Sequence, residues 1–254
     1  MRIAVITGAS AGMGREFAVQ LDRQRKYDEI WVIARREDRL LALRGALRAK
    51  VRPIPLDLTE PGAVEQYAAL LEQTQPLVQT LVNAAGFGLF GKFTDLPLDE
   101  QMNMVDLNCK ALAAMTYVTM PYMEPGGEVY EFASIASMQP IPDLNIYAAT
   151  KAFVRSFSRA LNRELALDNR GIRVMAICPC WVETEFFDRA NRYSTIPYFS
   201  RIWDPRDVVR TAMRDMARGK DVSVHGGTIK AQYLMSKLLP HKLVMDIWCK
   251  QQNL

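Results

Sequence analysis

The sequence of 254 residues predicts an α/β protein, a doubly wound three-layer αβα sandwich around a seven-stranded parallel sheet. Three observations predict it. Seven short β-branched runs (3–6, 29–33, 51–55, 80–82, 128–132, 173–177 and 222–224) alternate with amphipathic segments near 13–24, 37–48, 60–73, 98–120, 144–168 and 205–217. A glycine-rich turn joins the first run to the first helix. No repeat, low-complexity tract or Gly/Ser linker interrupts the alternation, so residues 1–254 are expected to form one domain.

Composition narrows the function classes. Hydrophobic residues make up 49% and charged residues 24%, which fits a folded globular chain. The net charge of +4 is modest, and the arginines of residues 35–52 are expected to form a solvated helix face, so no nucleic acid is expected as a partner. Four cysteines without a CxxC pair, and only two histidines, support neither a disulfide framework nor a metal site. Cys178 and Cys180, flanking Pro179, are expected to be packing residues. Met1 to Ile6 run straight into the glycine loop without the pattern of a signal peptide, and residues 111–123 are too short and too interrupted for an integral membrane span. A cytoplasmic protein is the expectation.

After the first strand comes Thr7-Gly8-Ala9-Ser10-Ala11-Gly12-Met13-Gly14. Gly8 permits the tight turn, Gly12 lets the backbone approach a pyrophosphate, and Gly14 lets the helix pack closely, while the helix start offers free N–H groups and Ser10 adds a hydroxyl. The second strand ends in Ala34-Arg35-Arg36, about 20 residues past the last glycine, where a ribose-binding carboxylate would otherwise stand. Guanidinium groups there suit a 2′-phosphate, so NADP(H) is expected over NAD, with Arg35 as the main ligand and Arg36 beside it.

Further along, Thr59 is expected to cap a helix carrying Pro61 in its first turn, and Asp204-Pro205 marks another helix start. In the segment 144–168, Tyr147 and Lys151 stand four residues apart, hence on one helix face. A neighbouring cation favours phenolate and lowers the tyrosine pKa toward a useful acid/base range. Ser134, thirteen residues before Tyr147, ends the fifth strand and can hydrogen-bond a substrate oxygen.

These features together resemble the short-chain dehydrogenase/reductase family, in its compact single-domain, NADP-preferring branch, over residues 1 to about 225. The resemblance rests on the turn from Thr7 to Gly14, Asp57-Leu58, Asn83-Ala84-Ala85-Gly86, Asn108, Ser134, Tyr147 and Lys151. It implies a Rossmann-like sheet, with Asp57 and Leu58 meeting the adenine and Asn83 to Gly86 lining the cofactor cleft. Lys151 would hold the nicotinamide ribose and depress the Tyr147 pKa, and Asn108 would position a water in the relay leading to Lys151. Pro179, Val182 and Thr184 match the family's nicotinamide-contacting segment, although Cys180 replaces its usual glycine, and Ala11 stands where some NADP-preferring relatives have a basic residue. A homodimer or homotetramer is also implied.

The activity so expected is hydride transfer between NADP(H) and a small-molecule carbonyl or alcohol, with Tyr147 as general acid/base. A catalytically silent NADPH-binding sensor of the same fold is the alternative; a nucleotide-sugar epimerase or dehydratase is disfavoured by length. Residues 185–203, rich in aromatics, either wall a pocket for a bulky apolar substrate (steroid, bile acid or 3-oxoacyl type) or pack on themselves. The tail, residues 226–254, has apolar residues at helical spacing with interleaved lysines, which suits packing, a subunit contact or a membrane-leaning lid.

Overall fold

Strands covered on both faces are expected to be mostly apolar on both faces; the run 3–6 is so throughout, whereas 128–132 also carries Glu128 and Glu131. The computed structural model describes every residue except Lys26. Strands β1 (Arg2–Thr7), β2 (Glu29–Ala34), β3 (Lys50–Pro55), β4 (Leu77–Asn83), β5 (Met123–Phe132), β6 (Arg173–Ile177) and β7 (Val222–Ser223) form one parallel sheet in the order β3-β2-β1-β4-β5-β6-β7. The helices are α1 (Gly12–Gln24), α2 (Glu37–Leu41), α3 (Ala63–Thr74), α4 (Leu98–Val105), α5 (Leu112–Thr119), α6 (Asn145–Leu167), α7 (Phe186–Ala190), α8 (Pro205–Ala217), α9 (Gly227–Leu238) and α10 (His241–Gln252).

Alternate side chains of each strand feed two core layers. Ala4, Ile6, Val32, Tyr130 and Phe132 pack with Phe17 and Leu21 of α1 and with Val209 and Met216 of α8. Ile3, Val5, Trp31, Ile33 and Val129 pack with Tyr67 of α3, Met115 of α5 and Leu165 of α6. The strand order reverses between β1 and β4, and Thr7 pairs with Asn83, which pairs with Glu131. Three strand ends are thereby level at the switch point, where open α/β sheets bind ligands.

Four details depart from or refine the sequence reading. Thr59 does not cap α3: its N–H and hydroxyl both donate to Asp57 Oδ1, at 3.0 and 2.7 Å, and the helix begins at Ala63 after Gly62 turns at φ 80°. Asp204 does cap α8, accepting from the Arg206 N–H at 2.8 Å. The segment 98–120 is not one regular helix, because a π-helical stretch, Asp106–Ala111, separates α4 from α5. Residues 185–203 contain the short α7, and the tail folds into α9 and α10. Among the described residues no helix is long and apolar enough to cross a membrane.

Candidate active site

The glycine turn is shaped by contact with the turn after β4. Gly8 has φ +67°, and a Cβ placed there would lie 2.8 Å from the Ala84 backbone, so no other residue fits without displacing that chain. The Ala85 N–H donates to Thr7 Oγ1 at 3.1 Å, tying the two turns together. No side chain caps α1 at Ala11, which leaves the N–H groups of its first turn without a side-chain acceptor. A cleft of about 470 Å³ opens here. Gly8, Ser10, Gly12, Met13 and Gly14 form one wall, Ala84, Ala85 and Gly86 another, and Arg35, Arg36, Asp57 and Leu58 its far end.

Asn83 is a correction to the predicted lining. Its side chain turns into the core, where Nδ2 donates to Thr116 Oγ1 at 2.9 Å and to Glu131 Oε1 at 3.2 Å. As the last residue of β4 it faces the α5 side of the sheet, so only Ala84 to Gly86 reach the cleft.

At the far end, Arg35 Nη1 lies 3.4 Å from Asp57 Oδ2. Arg36 donates to Ser10 Oγ at 3.1 Å and to the Glu185 carboxylate at 2.7 Å, and Arg39 pairs with the same carboxylate. Hydrogen bonds from Arg36 and Arg39 hold Glu185 below the usual carboxylate range. Glu185 is not legible in the sequence, because 149 residues separate it from Arg36 and no shared motif links them.

Ser134 follows β5 in extended conformation and caps a 3-10 turn, Ile135–Met138, with Oγ accepting from the Ala136 N–H at 3.1 Å. Tyr147 stands in the first turn of α6 and Lys151 one turn later, as the spacing predicts. Their electrostatics differ from expectation. Lys151 Nζ donates to the Phe132 carbonyl at 2.7 Å and sits 5.8 Å from the Tyr147 ring centre. Burial pushes Tyr147 up to about 12, with a Ser134 hydrogen bond opposing it, and pushes Lys151 down to about 8. Desolvation therefore outweighs the expected depression of the phenol by the ammonium, and the tyrosine is protonated at neutral pH.

Asn108 lies in the π-helical stretch, with Oδ1 accepting from the Phe87 N–H at 3.1 Å. Its Nδ2 donates to the Phe87 carbonyl at 2.9 Å and to Thr150 Oγ1 at 3.1 Å. The Asn108 side chain thus splints the segment after β4 to α6. A Cβ on Gly86 would meet Asn108 Oδ1 at 2.8 Å and Lys151 Nζ at 3.3 Å, which places both groups directly behind the cleft wall. Behind them Glu131 is fully buried, with Thr116 Oγ1 at 2.7 Å, and burial pushes its carboxyl up to about 7. No motif announced this acid.

A second cavity, of about 340 Å³, opens in front of Ser134 and Tyr147. Pro179, Val182 and Thr184 form its inner side together with Cys180 and Trp181, and Phe186 and Phe187 line its lid. The Phe186 and Tyr147 ring centres are 5.6 Å apart. Met13, Thr184 and Phe186 border both cavities, so the two spaces meet at these residues. Phe186, Phe187 and Tyr198 of residues 185–203 line the second cavity, while Phe187 and Phe199 also pack on each other and on Trp181. The tail supplies the remaining wall, anchored where Trp248 Nε1 donates to the Pro142 carbonyl at 3.1 Å. Cys178 is fully buried, and burial pushes its thiol up to about 11, as suits a packing residue.

Residues 2–194 match the family model described as short chain dehydrogenase. An uncharacterized oxidoreductase of Staphylococcus aureus is 28% identical over 232 residues, spanning 90% of this chain and 96% of its own. A short-chain dehydrogenase from Sphingobium yanoikuyae, solved in complex with NADPH, superposes with a TM-score of 0.80 at 26% identity, covering 97% of this chain and 96% of that one. A short chain dehydrogenase/reductase from Burkholderia phymatum, solved with NAD, superposes with a TM-score of 0.78 at 23% identity, covering 91% of each chain. With the glycine turn, the parallel sheet and a family match over most of its length, this chain belongs to the short-chain dehydrogenase family of oxidoreductases.

Proposed function

We propose that the chain is an NADP(H)-dependent oxidoreductase interconverting a bulky, apolar ketone or aldehyde with its alcohol. The observation that carries this reading is the position of Tyr147 and Ser134. Both line the apolar cavity, at the place where residues of the glycine-turn cleft also border it.

The cleft fits a dinucleotide: glycine backbone and an uncapped helix start suit a pyrophosphate, and Arg35 and Arg36 suit a 2′-phosphate. The NADPH-bound relative supports that coenzyme, while the NAD-bound fold neighbour leaves the choice to the two arginines of this chain. The bound nicotinamide supplies the hydride. The protein's own part is the proton. Tyr147, protonated at neutral pH, donates to the carbonyl oxygen during reduction, and Ser134 holds that oxygen by a hydrogen bond. Lys151, fixed on the Phe132 carbonyl, and Asn108, splinting Phe87 to Thr150, keep the Tyr147 face of α6 against the cleft.

A neutral, apolar substrate class is supported by the cavity wall, which among the described residues holds no Asp, Glu, Lys, Arg or His. A neutral steroid-type ketone suits it better than a bile-acid carboxylate or a charged 3-oxoacyl carrier, since a buried charge would find no partner. A panel of steroid, bile-acid, 3-oxoacyl and aromatic ketones, followed by loss of NADPH absorbance, tests the reading. The expected result is turnover of neutral bulky ketones; binding of NADPH without oxidation across the panel would favour the silent sensor instead. In Arg35→Ala/Arg36→Ala, NADPH affinity should fall by roughly 2 to 4 kcal/mol with NADH little changed.

A further inference from the structure

The tail has more exposed apolar surface than its packing accounts for. On α9, Leu234 is 58% exposed and Leu238 71%; on α10, Leu243 is 46% exposed. Met235 and Ile247, 49% and 45% exposed, lie at the same time on the wall of the apolar cavity. The exposed stripe is therefore continuous with the mouth of the pocket. Lys230, Lys237, Lys242 and Lys250 are exposed on the same two helices, which carry one acid, Asp246.

We propose that α9 and α10 form a docking surface for an anionic lipid layer, through which apolar substrate enters the cavity. Apolar side chains on a helix pair flanked by lysines match the acyl boundary and the phosphate headgroups of such a layer. Charge decides between a lipid surface and a second copy of this chain. A two-fold contact sets the same patch against itself, which places four lysines opposite four lysines with a single acid on each side to relieve them. A second copy would also cover the cavity mouth at Met235 and Ile247, whereas a lipid layer leaves apolar molecules free to partition into it. The role assigned to the cavity rests on the function proposed above; the lipid contact itself does not.

The test is cosedimentation of the full chain with vesicles of phosphatidylcholine alone and with about a third phosphatidylglycerol, at low and high salt. The expected result is binding to the anionic vesicles that falls at least tenfold in pure phosphatidylcholine and weakens with salt. Leu234→Glu/Leu238→Glu and, separately, Lys237→Glu/Lys242→Glu should each lower the bound fraction by about tenfold or more. Neither pair lines the cavity, and all four residues are exposed, so the thermal unfolding midpoint should be unchanged, which shows that the variants are folded. Absence of vesicle binding, binding indifferent to lipid charge and to both variants, or a Leu234→Glu/Leu238→Glu variant that instead converts a dimer to a monomer would overturn the proposal. Vesicle binding is read without turnover, so a failed ketone panel leaves this result interpretable.

Discussion

Arg36 and Glu185 form an ion pair of 2.7 Å that joins the far end of the glycine-turn cleft to the residue immediately before α7. Phe186, the next residue, borders both cavities. The guanidinium proposed for a 2′-phosphate is thus already held by an anion of the 185–203 loop. Glu185→Gln removes that competitor while keeping the side chain's size. NADPH affinity should rise roughly fivefold and NADH affinity stay nearly constant, the range of one exposed ion pair. Fluorescence titration with both coenzymes checks this, and equal changes for the two would contradict it.

Glu131 makes stability depend on pH. Its carboxyl is raised from 4.5 to about 7 by burial, so the folded chain binds its proton more tightly than the unfolded one. The stabilisation is fully present below the unfolded value and is lost as pH rises through about 7, on the order of 3 kcal/mol in all. Glu131→Gln, a neutral amide of the same shape, should flatten the change between pH 5 and 8. Denaturant unfolding of both proteins at the two pH values measures it; parallel losses would show that another group is responsible.

Much of this was legible in the sequence, and the exceptions share a cause. The seven strands, the turn from Thr7 to Gly14 and the spacing of Tyr147 to Lys151 are local patterns, set by periodicity and backbone geometry, and the structure contains each. What the sequence did not show depends on contacts between distant segments. Asn83 sits in the expected tetrapeptide, yet strand alternation turns it toward Thr116. The Tyr147 pKa moves up rather than down because burial is set by the whole wall and not by the lysine one turn away. Glu185 meets Arg36 only after β6 and α7 place the loop across the sheet edge. The tail's part in the cavity follows from the docking of Trp248 on the Pro142 carbonyl, a link across 106 residues.

Gly88 packs against the rings of Phe186 and Tyr147. A Cβ there would lie 2.7 Å from the Phe186 ring and 2.9 Å from the Tyr147 ring, so one of the two aromatics must move. Gly88 does not line the glycine-turn cleft. Gly88→Ala should lower turnover about tenfold or more and NADPH affinity much less, because overpacking of ~1–3 kcal/mol is relieved by displacing Tyr147, or Phe186 at the rim of the cleft. Steady-state kinetics alongside coenzyme titration distinguishes this from a general loss of folding, in which both would fall.

The Tyr147 hydroxyl is the proposed proton donor, on a ring beside Phe186 where the two cavities meet. Tyr147→Phe removes one oxygen and leaves the ring against Phe186. Single-turnover oxidation of NADPH with a ketone taken from the panel should slow by about 10²- to 10⁴-fold, with NADPH affinity unchanged. A rate equal to that of the wild-type protein would contradict the assignment.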